Sequence, residues 1–351
     1  MDIGFSIAIL SGEIRNRIDF TKVAIDSFNN QTYKNIQKIL VNGGSPPHQT
    51  NDLLRIGAKL DDWTIVDFPI DAMDINSGWA THRWNGQAAL HVAEKKYFFT
   101  MNDDDFIAPD FFEKIAIGFT KYPNAESAMG MGSLYINESS RIIEFPRPQD
   151  KKNIDRPEME PGIEVVRKIF FSNMKTSDPQ YHPCIGFQPV FRTELAREVS
   201  DTLFSSGGFP DNSSYFQVVA RGDSLFIFDA KFYWRIHSAQ DGRAVAKKFF
   251  WNLSHKEIFT MYMQSNLEVF GRYFPDNHSD KNNIKKYFKQ AIVTQSLFAI
   301  SKFYSISRLL KGKGKNPTID PPLEVNFPLW GHLRVVFRHP FLSLKVLKKH
   351  F

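Results

Sequence analysis

Short, unbroken apolar runs separated by amphipathic stretches mark the first 120 residues of the chain. Runs at 3–10, 36–41, 64–68 and 97–101 are rich in β-branched and aromatic residues and too short for helices, so they predict strands, buried ones at 3–10 and 97–101. Between the first two, residues 19–30 place Phe20, Val23, Ala24, Ser27 and Phe28 on one helical face. Residues 79–94 predict a second helix. Pro109-Asp110-Phe111-Phe112-Glu113 predicts a third, proline-led and with acids in its first turn. Strand and helix in alternation predict an α/β fold with a doubly wound sheet.

Further on the pattern loosens. Residues 128–150 read as one more strand with an extended exit. Residues 150–185 are polar and proline-punctuated, which predicts a variable region over the site. Periodic structure returns at 185–197 and 213–221, and a strand at 224–228 leads into Lys231-Phe232-Tyr233-Trp234-Arg235-Ile236-His237. The expected organisation is one α/β domain over 1–244, a mainly helical C-terminal extension over 245–310, a Gly/Lys/Pro linker over 311–328 and a basic amphipathic segment over 329–351.

Composition narrows the class. The single cysteine, Cys184, excludes an internal disulfide framework and suits a reducing compartment. No signal-peptide pattern opens the chain and no run reaches transmembrane length, so a cytoplasmic location is expected. In that setting the sequons at Asn137, Asn212, Asn252 and Asn277 carry no weight. The net charge of +6 is unevenly spread: residues 281–351 hold 14 Lys or Arg against two acids, and the other 280 residues hold 30 basic against 36 acidic side chains. A basic tail on a mildly acidic body predicts attraction to a polyanion.

The chemistry concentrates at Asp103-Asp104-Asp105, which follow the run at 97–101 with Asn102 between. Carboxylates at the carboxyl end of a central strand stand where open α/β sheets bind ligands. Crowding three of them costs repulsion unless a cation neutralises them, and a hard divalent ion would also hold a phosphate. Capping the following helix would need only one aspartate. No HExxH, CxxC pair, P-loop or GxSxG occurs, which leaves zinc-hydrolase, NTPase and serine-hydrolase readings unsupported.

Several stretches, in this order, carry a resemblance. Phe5-Ser6-Ile7-Ala8-Ile9-Leu10 with the later Ser27-Phe28-Asn29-Asn30-Gln31-Thr32-Tyr33-Lys34-Asn35, then Val41-Asn42-Gly43-Gly44-Ser45, Gly78 and Arg83, Asn102 to Pro109, Gly207-Gly208-Phe209-Pro210-Asp211 and Trp234-Arg235-Ile236-His237 together resemble the family 2 glycosyltransferases over residues 3 to about 240. The resemblance implies a GT-A fold, a doubly wound mixed sheet flanked by helices, and inverting transfer from a nucleotide-sugar donor. It implies Asp211 as the general base on the acceptor hydroxyl; as an N-cap of the helix expected after it, Asp211 has a structural reading too. It places Asn42, Arg83, Asp103 and Asp104 against the donor, and Asp104, Asp105 and His237 around Mn²⁺ or Mg²⁺. Two alignments of the aspartate motif are open, one putting Asp104 at the metal-contacting position and one using Asp103 and Asp105. Asn42 and Gly43 depart from the family's usual paired aspartates, and an amide offers a nucleobase a different donor and acceptor set. Arg83 and His237 each have a structural reading as well. Tyr181-His182-Pro183-Cys184, Tyr233 and Trp234 would line an acceptor groove or simply pack.

Residues 329–351 mix large apolar groups with Lys and Arg at helical spacing, which suits an anionic membrane surface. The expected partners are thus a nucleotide-sugar donor, a glycan or lipid-linked acceptor of bacterial surface polysaccharide synthesis, and the inner face of the plasma membrane, but no nucleic acid. Two rivals remain. A sugar-nucleotidyltransferase would need a glycine-rich triphosphate loop, which Ser11-Gly12-Glu13-Ile14-Arg15-Asn16-Arg17 matches poorly. A catalytically degenerate GT-A subunit, kept as a scaffold partner, is suggested by Asn42-Gly43.

Overall fold

A computed structural model describes residues 3–11, 18–43, 48–68, 80–144, 158–162, 189–198 and 218–237, with 333, 336–341 and 343–344 near the carboxyl terminus. Four parallel strands open the fold: β1 (Phe5–Ser11), β2 (Ile36–Gly43), β3 (Trp63–Phe68) and β4 (Tyr97–Asn102). They lie in the order β3-β2-β1-β4, joined through α1 (Ile18–Asn29), α2 (His48–Arg55) and α3 (Ala80–Val92). The strand order reverses between β1 and β4, which opens a crevice at their carboxyl ends. Every residue of β1 is buried, as a strand covered on both faces requires.

The second half of the sheet makes it mixed. β5 (Phe106–Ile107), β6 (Ser127–Ile136), β7 (Arg141–Glu144), β8 (Glu158–Pro161), β9 (Val190–Arg192) and β10 (Asp223–Ile236) complete ten strands. β9 runs antiparallel between β4 and β6, and β6 pairs parallel with β10. Two reversals cancel, so β4, β6 and β10 all end at the same edge. β5 and β8 pair antiparallel with β10, and β7 folds back on β6.

The core is aromatic. Helix α4 (Phe111–Lys121) buries Phe111, Phe112, Ile115 and Phe119, and burying each such side chain is worth roughly 1.5–3 kcal/mol. Phe112 meets Phe5 at 5.0 Å and Phe99 at 5.4 Å, while Tyr97 stacks on Phe119 at 3.9 Å. The Gln31-Thr32-Tyr33 segment clamps the start of α4. Buried Gln31 accepts from the Phe112 N–H at 3.2 Å and donates to the Ala108 carbonyl at 2.8 Å, and the Thr32 N–H donates to the Pro109 carbonyl at 2.8 Å. Tyr33 donates its hydroxyl to the Ile3 carbonyl.

Some expectations need correction. Helix α1 buries Thr21, Ala24, Ile25 and Phe28, so its inward face is rotated from the expected one and Val23 is exposed. Phe20 is only half-buried because it packs at the sheet edge rather than in the core. α2 was not expected, since His48–Arg55 is polar and buries little besides Leu53. The stretch 128–150 is not one strand with an extended exit. β6 ends in a tight 3₁₀ turn at Asn137–Ser139, Ser140 takes a left-handed φ of 51°, and β7 returns antiparallel. β8 lies within the segment read as a variable loop. The strand at 224–228 and the run after it are one strand, β10, carrying a bulge between Ile227 and Lys231. The expected extension over 245–310 and linker over 311–328 lie outside the described residues.

Candidate functional site

Four strand ends supply the site. Ser11 on β1 is in register with Asn42 on β2, and Asn42 with Asp67 on β3, forming a polar row along the carboxyl edge. The Ser11 hydroxyl donates to Asp103 Oδ2 at 2.9 Å. That bond spans the β1/β4 crevice, where the topology opens the sheet. Asn42 is fully buried; its Nδ2 donates to Asp67 Oδ1 at 2.9 Å, while its Oδ1 has no hydrogen-bond partner among the described residues. A buried acceptor left this way costs about 1–3 kcal/mol.

The three aspartates turn in three directions. Asp103 faces Ser11. Asp104 meets His237 across the edge, Oδ2 to Nε2 at 3.0 Å. Asp105 Oδ1 accepts the Arg235 backbone N–H at 2.9 Å. The short strand β5 makes this possible: Phe106 and Ile107 pair with Tyr233 and Phe232, drawing the aspartate turn against the end of β10. Burial first, then the neighbouring charge of Asp104, pushes the Asp105 carboxyl well above the usual range, with the Arg235 N–H opposing.

Arg235 ties the turn together. Its Nε donates to the Asp104 carbonyl at 2.7 Å and an NH group to Asn137 Oδ1 at 2.9 Å. The guanidinium lies 4.6 Å from the Phe20 ring and 5.2 Å from both Phe106 and Tyr135. The aromatic cage also explains why burial lowers its pKa from the arginine norm. His237 packs its ring on Phe20 at 4.6 Å. With a carboxylate as acceptor, Nε2 carries the proton, and the buried Nδ1 has no partner among the described residues.

The residues fit a divalent ion in part. Asp104 Oδ2 and His237 Nε2, 3.0 Å apart, offer a carboxylate oxygen and an imidazole nitrogen to one ion, which would replace the hydrogen bond between them and leave the ring proton on Nδ1. Among the described residues no group of three His, Cys, Asp or Glu side chains is placed to hold a metal.

Of the expected site residues, Asn42, Asp103, Asp104, Asp105 and His237 are brought to one edge. Arg83 lies on α3, with its side chain outside the described residues, as is Asp211. Tyr233 stacks on Phe106 at 4.7 Å, and Trp234 packs against the core, so both are packing groups in part. Sequence reasoning passed over Ser11, Asp67 and the clamping role of Arg235. A polar residue just after the first apolar run was the signal for Ser11, and an acid next to last in the third was the signal for Asp67.

Residues 14–199, just over half of the chain, match the sequence profile of Glycosyl transferase family 2, and the chain belongs to that family. The sheet and its flanking helices are the GT-A arrangement expected of it. Among solved structures the chain is similar to S. aureus TarS 1–349, at 12% identity and a TM-score of 0.47, over 96% of this chain and 92% of that one. The same TarS segment in complex with UDP-GlcNAc gives 12% identity and a TM-score of 0.46 over the same shares. TarS itself gives 12% and 0.43, over 83% of this chain and 48% of that one. At this similarity neither the ligand nor the substrate of TarS transfers to this chain. A comparison with curated protein sequences finds no match.

Proposed function

We propose that the chain is an inverting glycosyltransferase that moves a sugar from a nucleotide-sugar donor to a glycan or lipid-linked acceptor in bacterial surface polysaccharide synthesis. The observation that carries this is the pairing of Asp104 with His237 beside the Ser11–Asp103 bond, at the crevice where the strand order reverses. Asn42 faces the nucleobase, and Asp103 and Arg83 bind the donor. Asp104 and His237 would hold Mn²⁺ or Mg²⁺ in place of the hydrogen bond between them, which favours the alignment that puts Asp104 at the metal-contacting position. When bound, the ion neutralises the charge that builds on the departing diphosphate. Asp105 is held back from that role by Arg235 and acts as the lock of the turn. Asp211 accepts the proton from the acceptor hydroxyl as its oxygen attacks the anomeric carbon from the face opposite the leaving group.

The enzyme works in the cytoplasm, at the inner face of the membrane. Phe337, Phe341 and Leu344 are exposed at helical spacing, with exposed Arg338 among them, which supports contact with an anionic lipid surface.

Thermal unfolding with nucleoside diphosphates, each with and without Mn²⁺, tests the reading. A ligand at a hundred times its Kd stabilises a folded protein by about 2.7 kcal/mol, an easily measured shift. A metal-dependent shift with one diphosphate supports the donor site. No shift with any of them, together with unchanged surface glycan in an Asp211→Asn strain, would favour the degenerate scaffold subunit instead.

A further inference from the structure

Ser11, Asn42 and Asp67 project from neighbouring, in-register positions of parallel strands, so their side chains share one face of the sheet edge. Within this row Ser11 is fixed as a donor by Asp103, and the polarity that the amide of Asn42 presents is what sequence leaves undefined. A half-turn of its amide exchanges a hydrogen-bond acceptor for a donor, and either orientation has the same shape.

Asp67 removes the ambiguity. Its carboxylate only accepts, so the Asn42 NH₂ must face it, as the 2.9 Å bond shows. The carbonyl oxygen is thereby turned away from Asp67, buried and without a partner among the described residues. Asn42 then behaves toward a ligand as a carboxylate would, accepting only, but without a second negative charge beside Asp67.

We propose that Asp67 is a positioning residue for nucleobase selection, locking Asn42 as an acceptor so that the site takes bases with a ring N–H and rejects cytosine. The inference rests on the nucleotide-sugar reading above and names its base class: uracil, thymine or guanine. Uracil and thymine present N3–H and guanine presents N1–H. Cytosine has a bare N3 at the same place, and its lone pair would oppose that of Asn42 Oδ1.

The test is a binding titration of the full-length protein with UDP, dTDP, GDP and CDP in Mn²⁺. One of the first three is expected to bind at least about tenfold tighter than CDP, the ratio that follows when one buried hydrogen bond is replaced by a repulsive contact. In Asp67→Asn the new amide can donate or accept, Asn42 is free to turn, and the ratio is expected to fall toward one. The double variant Asn42→Asp/Asp67→Asn reverses the bond and keeps an acceptor facing the base, so the ratio is expected to return. Asp67 is solvent-exposed near the end of an edge strand, so Asp67→Asn should fold; circular dichroism and a thermal midpoint check the double variant, which changes the buried Asn42 as well, and the ratio is read within each variant. A purely structural Asp67 would lower all affinities together and leave the ratio unmoved, which overturns the inference. CDP binding as tightly as the others to the unmodified protein also overturns it, while nucleotide binding as such survives. Failure of every diphosphate to bind overturns the donor reading and this inference with it.

Discussion

Asp104 and His237 are 133 residues apart in the chain, yet Oδ2 of one lies 3.0 Å from Nε2 of the other. If the pair holds the metal, His237→Ala should weaken Mn²⁺-dependent nucleotide binding about tenfold or more, the usual scale for losing a metal ligand or its support. Metal-free nucleotide binding should change much less. Titrations of the two proteins with and without Mn²⁺ provide the check, and equal losses in both conditions would remove His237 from the metal site.

Arg235 is predicted to be a stability residue before it is anything else. Arg235→Ala would leave the Asp104 carbonyl and Asn137 without their donor and remove the positive neighbour of Asp105. Breaking a buried charged contact of this kind costs about 3–5 kcal/mol. Arg235→Lys restores the charge but not the planar fork between Phe20, Phe106 and Tyr135, so it should recover only part of the loss. Urea midpoints of the three proteins measure both effects.

Gly130 sits in β6 where no side chain fits. A Cβ there would lie 2.5 Å from Phe111 Cε2 and 2.6 Å from the Ala230 carbonyl oxygen, and backbone cannot step aside. Gly130→Ala should cost about 1–3 kcal/mol by overpacking. Gly57 is the control: its φ of +82° strains any side chain, but nothing lies within 4 Å of an added Cβ. Gly57→Ala should therefore cost only the conformational term, about 1 kcal/mol. Equal losses in the two variants would show that packing behind Phe111 is looser than described.

Lys114 joins the first turn of α4 to the bulge of β10. It contacts Asp110 at 2.8 Å and Asp229 at 3.4 Å, and donates to the Asp229 carbonyl at 2.9 Å. Burial pulls its pKa down, but the hydrogen bond and charge of Asp110 and Asp229 more than reverse this, and the net direction is upward. A raised lysine contributes stability that is complete below its ordinary pKa and is lost as pH rises through the raised one. The site is partly solvated, so Lys114→Met should cost no more than about 1 kcal/mol at neutral pH. That difference should stay level from about pH 6 to 9 and shrink only above about pH 10. Melting temperatures across this range follow it, and a difference that shrinks near pH 7 would contradict the assignment.

The exposed face of the C-terminal helical residues gives a prediction about membranes. Phe337 and Phe341 are 75% and 86% exposed. Phe337→Ser/Phe341→Ser should lower partitioning onto phosphatidylglycerol vesicles about tenfold or more, through lost apolar burial. Flotation with these vesicles decides it, and unchanged binding would leave electrostatics alone as the attraction.

The sequence made β1 and β4 legible because they are buried on both faces, and an apolar run then has no polar partner to blur it. It also brought Asn42, the aspartates and His237 forward as candidates. What it did not show were the contacts made by pairing. β5 is two residues long and too short to leave a periodic signal, yet it delivers Asp105 to Arg235. The bulge in β10 splits one strand into two apparent segments. Asp67 closes a strand whose edge faces water, and nothing local distinguishes it from a solvated surface acid until its register with Asn42 is known.

The antiparallel pairing of β5 with β10 sets a timetable for the protein as it is made. A chain leaving the ribosome releases β1 to β4 first. The polar row of Ser11, Asn42 and Asp67 is thus synthesised while Asp104 and Asp105 still lack their counterparts. Those arrive only with the residues through His237, which close a loop of well over a hundred residues, a slow step for any sheet. A prematurely terminated chain carries that polar row but not the paired carboxylate and imidazole. Such fragments would present the three aspartates without the guanidinium and imidazole that meet them.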